Sequence, residues 1–261
     1  MSWRYPRIVA HRGGGKLAPE NTLGAIRLGA EMGFRGVEFD VMLAGDGTPV
    51  LIHDETLERT TGVPGHVART PYGKLAGLDA GKWRGRKWRG ERIPTLEQAG
   101  QLCRDLHLWA NVEIKPARGH ERETGTAVAL AARELWRDVP LAPILSSFSV
   151  EALIAAKRAA PELPRGYLVG RIPKNWRETM GALGCVALHC NHRALTKPLA
   201  EDIHAAGYAV LCWTVNDRRV ARKLLGWGVD CLVTDALKRI DPAFGQQLLT
   251  KPRRLLRAFL R

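Results

Sequence analysis

The chain has 261 residues, 45% of them apolar and 25% charged, which is ordinary for a folded protein and excludes a disordered, collagen-like or disulfide-scaffold chain. No uninterrupted apolar run approaches the roughly 20 residues that a membrane-spanning helix needs. Forty Lys and Arg against 26 Asp and Glu leave a net charge of +14, which favours nucleic acid, anionic membrane or phosphorylated small molecules without choosing among them.

Short β-branched runs alternate with helical patterns along the chain. Arg7-Ile8-Val9-Ala10 reads as a strand, 21–32 as a helix starting near Asn21 or Thr22 and ending before Gly33, and 36–41 as a second strand. Pro49-Val50-Leu51-Ile52 is a further extended run, and the link Met42 to Thr48 is too short for a parallel crossover, so it predicts an antiparallel hairpin arm. Residues 54–94 are rich in Gly, Pro, Thr and Arg and read as an insertion on a rim. Helical patterns follow at 96–106, 123–137, 150–160, 199–206 and 217–227. They separate strands near 109–114, 143–147, 166–169, 186–189, 209–213 and 230–234. Leaving out the hairpin arm, eight parallel strands alternate with helices, which predicts an α/β chain folded as a (β/α)8 TIM barrel over residues 1–250. An open doubly wound sheet is the rival, weakened because no Gly-x-Gly-x-x-Gly follows a strand.

The five cysteines, Cys103, Cys185, Cys190, Cys212 and Cys231, are odd in number and show no Cys-x-x-Cys spacing, so they read as small buried hydrophobes of a reducing compartment. The N-terminus lacks the basic, apolar and small-residue pattern of a secretory signal, and a cytoplasmic location is expected.

In a barrel the site lies at the C-terminal ends of the strands. The first strand runs into His11-Arg12-Gly13, the second carries Glu38 and Asp40, the hairpin arm ends at His53-Asp54, and the third barrel strand ends with Glu113 and Lys115. Period-two alternation puts Glu38 with Asp40, and Glu113 with Lys115, on one face. If that face is the interior, three carboxylates converge, a costly arrangement unless a divalent cation offsets the repulsion. An oxygen-only set suits Mg²⁺ or Ca²⁺ better than Zn²⁺. His11 and His53 titrate in the range useful for proton transfer, and Arg12 with Lys115 suits a phosphate, so the pattern fits phosphoryl transfer. Taken singly, each carboxylate is more often a salt-bridge partner and each histidine more often structural; four strand-end segments together argue for chemistry.

The chain resembles the glycerophosphodiester phosphodiesterase family. The resemblance rests on His11-Arg12-Gly13, Pro19-Glu20-Asn21-Thr22, Glu38-Phe39-Asp40, Pro49-Val50-Leu51-Ile52-His53-Asp54, Arg59-Thr60-Thr61-Gly62, Ile93-Pro94-Thr95-Leu96, Glu113-Ile114-Lys115 and Trp213-Thr214-Val215-Asn216, in family order from residue 8 to about 240. It looks like the short cytosolic bacterial branch. The resemblance implies a (β/α)8 barrel with a small insertion after the second strand. It also implies metal-dependent hydrolysis of glycerophosphodiesters to sn-glycerol 3-phosphate and an alcohol. Position by position it implies His11 and His53 as the acid/base pair, with His11 given the base role, and Glu38, Asp40 and Glu113 as metal ligands. Arg12 and Lys115 would hold phosphate. Trp213 would line the glycerol pocket, with a core tryptophan as the alternative. Lysophospholipase D-like activity is a second reading. A nucleic-acid-binding protein on an inactive barrel is a third, opposed by the intact residue set; a small-molecule phosphodiester, not nucleic acid, is the expected partner.

Three weaker signals remain. His189 and Asn191 share parity at the end of the sixth barrel strand and are candidates for touching substrate. The stretch 82–92, Lys-Trp-Arg-Gly-Arg-Lys-Trp-Arg-Gly-Glu-Arg, departs from the family in its basicity; it reads first as a solvated rim loop whose tryptophans pack on the barrel, and otherwise as a surface for anionic headgroups or nucleic acid. The basic tail 251–261 reads first as a docked helix or frayed end, with weak contact to anionic membrane as the alternative.

Overall fold

The computed structural model describes residues 3–246. Eight parallel strands close a barrel: β1 (Ile8–Ala10), β2 (Gly36–Leu43), β4 (Trp109–Ile114), β5 (Ile144–Ser147), β6 (Arg165–Val169), β7 (Ala187–Asn191), β8 (Ala209–Trp213) and β9 (Cys231–Thr234). Closure comes from β1, which pairs with β9 through Val9↔Val233 and with β2 through Ala10↔Val37. The hairpin arm β3 (Pro49–Leu51) lies antiparallel on β2, Met42 opposite Val50. That pairing carries β2 to Leu43, two residues past the end expected from the sequence, so Glu38 and Asp40 lie inside the strand and the arm continues beyond them.

The outer helices are α1 (Leu23–Glu31), α4 (Leu96–Asp105), α5 (Glu121–Leu135), α6 (Val150–Ala159), α7 (Trp176–Leu183), α8 (Lys197–Ala205) and α9 (Arg218–Gly226), with α10 (Pro242–Gln246) closing the described chain. Their starts are encoded locally. The hydroxyls of Thr22, Ser149 and Thr196 and the carboxylate of Asp217 accept the first free backbone N–H groups, and Thr95 with Gln98 forms a reciprocal capping box. Helix α7 has no counterpart in the elements read from the sequence. Its signal is present: Trp176, Met180 and Leu183 recur on one face and are buried, and Gly184 ends the helix at φ +62°.

Two apolar layers hold this shell. The larger lies between strands and helices, where Val37, Phe39, Val41, Val112 and Leu188 meet Ile26, Ala129 and Leu153. The other fills the lower barrel with Val9, Trp109, Ile144, Leu211, Cys231 and Val233, sealed by Trp3 and Tyr5. The insertion, with short helices α2 (Glu58–Thr61) and α3 (Tyr72–Leu75), has its own cluster of Met42, Val50, Ile52, Leu57, Val67, Leu75 and Ile93. It is therefore packed onto the hairpin arm. No helix among the described residues is long and apolar enough to cross a membrane. The tail 251–261 lies outside the described residues, and so does the membrane contact expected of it.

Candidate active site

Strand register builds the acidic centre. Asp40 on β2 is the direct partner of Glu113 on β4, and Glu38, two residues earlier, shares their face, opposite Asn111. Carboxylate oxygens of Glu38, Asp40 and Glu113 lie within 4.8 Å of one another. Burial, reinforced by neighbouring carboxylates, pushes Glu38 up to about 7 and Glu113 well above its ordinary value. Asp40 moves the other way: its burial is outweighed by Arg12, whose Nε is 3.3 Å away, and by Lys115, whose Nζ is 3.5 Å away. Asn21 clamps Asp40 from both sides, its Nδ2 donating at 2.9 Å and its Oδ1 accepting the Asp40 backbone N–H at 3.1 Å. This all-oxygen set, with Asn111 Oδ1 buried and unpartnered on the same strand face, fits a hard divalent cation.

The two histidines stand at this centre, each oriented by a carboxylate. His11 follows β1 as Asp235 follows β9, and the Ala10↔Thr234 register makes them neighbours with Nδ1 and Oδ1 2.6 Å apart. Asn216 fixes Asp235, donating to its Oδ2 and accepting its backbone N–H. The ring's Nε2 lies 3.7 Å from Glu38. Burial disfavours the imidazolium of His11, but Glu38 and Asp235 together raise its pKa. His53 arrives on the hairpin arm because the Ile52 N–H donates to the Asp40 carbonyl. Its Nδ1 is 2.6 Å from Asp54, which also accepts from Arg59 Nε. The Arg59 hydrogen bond holds Asp54 down at about 2 and weakens its pull on His53, whose pKa burial lowers. Arg59 then grips both oxygens of Glu20, and Glu20 also takes Arg12 Nη1 at 2.7 Å. Arg12 sits at φ +51°, a left-handed conformation uncommon for a side-chain-bearing residue, and this turns its N–H onto Glu38 at 3.0 Å.

These groups meet in a cavity of about 180 Å³ lined by His11, Arg12, Glu38, Asp40, His53, Asn111, Glu113, Lys115, Phe148 and Trp213, among others. One wall is apolar: Leu168, Leu211, Val233 and Trp213, with Phe148 standing edge-on to Trp213 at 5.4 Å. The indole N–H of Trp213 is buried without a partner. Two roomier hollows open at the opposite end of the barrel beside Trp3, Tyr5 and Trp109, but neither collects paired carboxylates and histidines. Chemistry, not volume, distinguishes the site.

The structure thus brings together His11, Arg12, Glu38, Asp40, His53, Glu113, Lys115 and Trp213. It separates His189 and Asn191 from the cavity wall. His189 points into the barrel as its parity requires, yet it is fully buried in the slot left by Gly166, where an added Cβ would come within 2.5 Å of Nε2. Burial drops its pKa to about 3, so it is neutral, and neither ring nitrogen has a partner. Asn191 accepts the Arg193 backbone N–H in the following turn. The residues without an assigned role in the sequence reading are Glu20, Asp54, Arg59, Asn111, Phe148, Asn216 and Asp235. Asp235 was detectable, since it shares the parity of Val233 and follows the last barrel strand.

A parallel barrel whose C-terminal mouth gathers oxygen ligands, oriented imidazoles and fixed cations belongs to the hydrolytic, phosphate-handling class of TIM barrels. Residues 11–239 match the model of the glycerophosphoryl diester phosphodiesterase family, and the chain belongs to that family. It is 34% identical over 230 residues to a glycerophosphodiester phosphodiesterase of Caldanaerobacter subterraneus, covering 87% of this chain and 93% of the relative. It is also similar to the structure of an Oleispira antarctica phosphodiesterase in complex with the product sn-glycerol-3-phosphate (TM-score 0.86, 40% identity, 92% of this chain and 96% of that one). A glycerophosphodiester phosphodiesterase structure from Agrobacterium tumefaciens matches at TM-score 0.76 and 27% identity, over 92% and 99% of the two chains.

Proposed function

We propose that this protein hydrolyses glycerophosphodiesters to sn-glycerol 3-phosphate and an alcohol, with His11 and His53 as its acid/base pair. The observation that carries the reading is the pair of imidazoles, each held at Nδ1 by a carboxylate beside one buried acidic centre. Glu38, Asp40 and Glu113 would hold one Mg²⁺ or Ca²⁺ ion, which supplies Lewis-acid polarisation of the phosphoryl oxygens and offsets their charge. Lys115 and Arg12 bring positive charge to the phosphate; Arg12 is held by Glu20 and Asp40, and Lys115 Nζ lies 3.5 Å from Asp40 and 4.0 Å from Glu113. Trp213 and Phe148 offer an apolar face to the glycerol carbons.

One histidine takes the proton of the attacking hydroxyl, from water or from the neighbouring glycerol hydroxyl, and the other protonates the departing alkoxide. The sequence reading gave His11 the base role. The carboxylate geometry supports the reverse division: Asp235 is bound by neutral Asn216 and favours a charged His11, whereas Asp54 is shared with Arg59 and leaves His53 neutral. A lysolipid is a second substrate class, supported by Phe148, which is 48% exposed and extends the apolar wall to the rim. Five free, buried cysteines support a reducing, cytoplasmic setting.

The test is release of sn-glycerol 3-phosphate from glycerophosphocholine by metal-stripped protein, before and after Mg²⁺ or Ca²⁺ is added. Metal-restored release is expected, with losses of about 10²–10⁴-fold in His11→Ala and His53→Ala. Wild-type rates in either variant would remove that histidine from the reaction. A nitrophenyl glycerophosphodiester, whose leaving group needs no proton, should restore the variant lacking the acid and leave the variant lacking the base inactive.

A further inference from the structure

The insertion carries a loop that the chemistry does not use. Residues Lys82–Arg84 and Arg86–Trp88 form two tight 3-10 turns beside α2, the helix that bears Arg59. The loop is closed at its base: Ala80 N–H donates to the Glu91 carbonyl, and one Asp79 carboxylate accepts the N–H groups of Gly81, Lys82 and Gly90. It is tightly folded, since a Cβ on Gly81 would strike the Trp88 carbonyl at 1.9 Å.

Its two acidic side chains are occupied by backbone. Asp79 is bound as described, and Glu91 accepts the N–H of Gly24 at the start of α1. Lys82, Arg84, Arg86, Lys87, Arg89 and Arg92 are all exposed, and among the described residues none of them pairs with a carboxylate. Trp83 stands among them 42% exposed, its indole N–H tied to the Ala80 carbonyl so that the ring is held in place. It is one of few large apolar side chains exposed in the described structure, and Val63, just past α2, is another. The expectation that both tryptophans pack on the barrel thus holds only in part. Trp88 is half-buried, with its indole N–H buried, and Trp83 is presented to solvent.

We propose that this loop, packed beside the helix whose Arg59 braces Asp54 next to His53, docks the protein on an anionic phospholipid bilayer. A basic cluster bearing one fixed, outward tryptophan matches an anionic headgroup layer: the cations meet the lipid phosphates, and the indole sits at the interfacial level. Single-stranded nucleic acid fits less well. It needs a groove with several stacking aromatics, whereas this loop is a closed knob with one exposed ring.

The experiment is co-sedimentation of the full chain with vesicles of phosphatidylcholine alone or mixed with phosphatidylglycerol, at low and high salt. Binding to the mixed vesicles, lost in high salt, is expected. The triple variant Arg84→Gln, Arg86→Gln, Lys87→Gln should partition roughly a hundredfold more weakly, and Trp83→Ala several-fold more weakly. The triple variant should hydrolyse soluble glycerophosphocholine at the wild-type rate, which verifies its fold. A further chain with Arg253, Arg254, Arg257 and Arg261 changed to Gln separates the loop from the tail. Undiminished vesicle binding by the triple variant would overturn the proposal. So would binding of a single-stranded oligonucleotide, lost in that variant, without binding to anionic vesicles.

Discussion

The two ends of the barrel interior are built from the same alternating strands and do opposite work. At the N-terminal end, Val9, Trp109, Ile144 and Cys231 pack with Trp3 and Tyr5 into an apolar plug, and the Trp109 indole N–H is satisfied by the Ala142 carbonyl. At the C-terminal end, two to four residues further along the same strand faces, sit His11, Glu38, Asp40, Asn111 and Glu113, with like charges held together and polar atoms left without partners. The lower end stabilises the fold. The upper end lowers its stability and acquires reactivity, with a left-handed Arg12 as a further sign of strain.

Three changes separate these ends, in decreasing order of expected effect. Trp109→Ala empties the plug and should cost about 3–5 kcal/mol. Thermal unfolding should fall by roughly 2–4 °C per kcal/mol, while kcat of the folded protein stays near wild type. A large loss of kcat without a stability loss would place Trp109 in the wrong half of the comparison.

Asp235→Asn removes the charge behind His11 and keeps the shape. We expect a fall in kcat of about 10–100-fold, about 1.4–2.8 kcal/mol, with little change in KM or unfolding temperature and a shifted pH profile. An unchanged pH–rate profile would show that Asp235 serves the fold alone.

The smallest effect is a linkage. Glu38 and Glu113 have raised pKa values in the folded chain. Without a cation, their contribution to stability is fully present below the unfolded value of about 4.3 and is lost as pH rises through the folded value, about 7 for Glu38. Mg²⁺ or Ca²⁺ should therefore raise the unfolding temperature by a few degrees at about pH 8 and by much less at about pH 5. Equal shifts at both pH values, followed calorimetrically, would count against these carboxylates as the cation site.

The linear chain already carries most of this organisation. Strand and helix periods, a hairpin link too short for a crossover, and charged residues at successive strand ends are local properties, so the barrel, the acidic centre and both histidines could be read without coordinates. Parity also sent His189 inward correctly, but parity carries no depth. Only the packed barrel shows that Gly166 opens a slot there and that the cavity floor lies above it. Asp235 and Asn216 gain their roles because closure sets the last strand against the first, a contact between residues 224 positions apart. The Glu20–Arg59–Asp54 brace likewise exists only once the insertion folds α2 back against the segment after β1 that carries Glu20. Sequence determined which chemistry is available, because strand alternation and residue type are written locally. Tertiary structure decided which groups face one another and at what depth, because strand register, barrel closure and desolvation belong to the assembled chain.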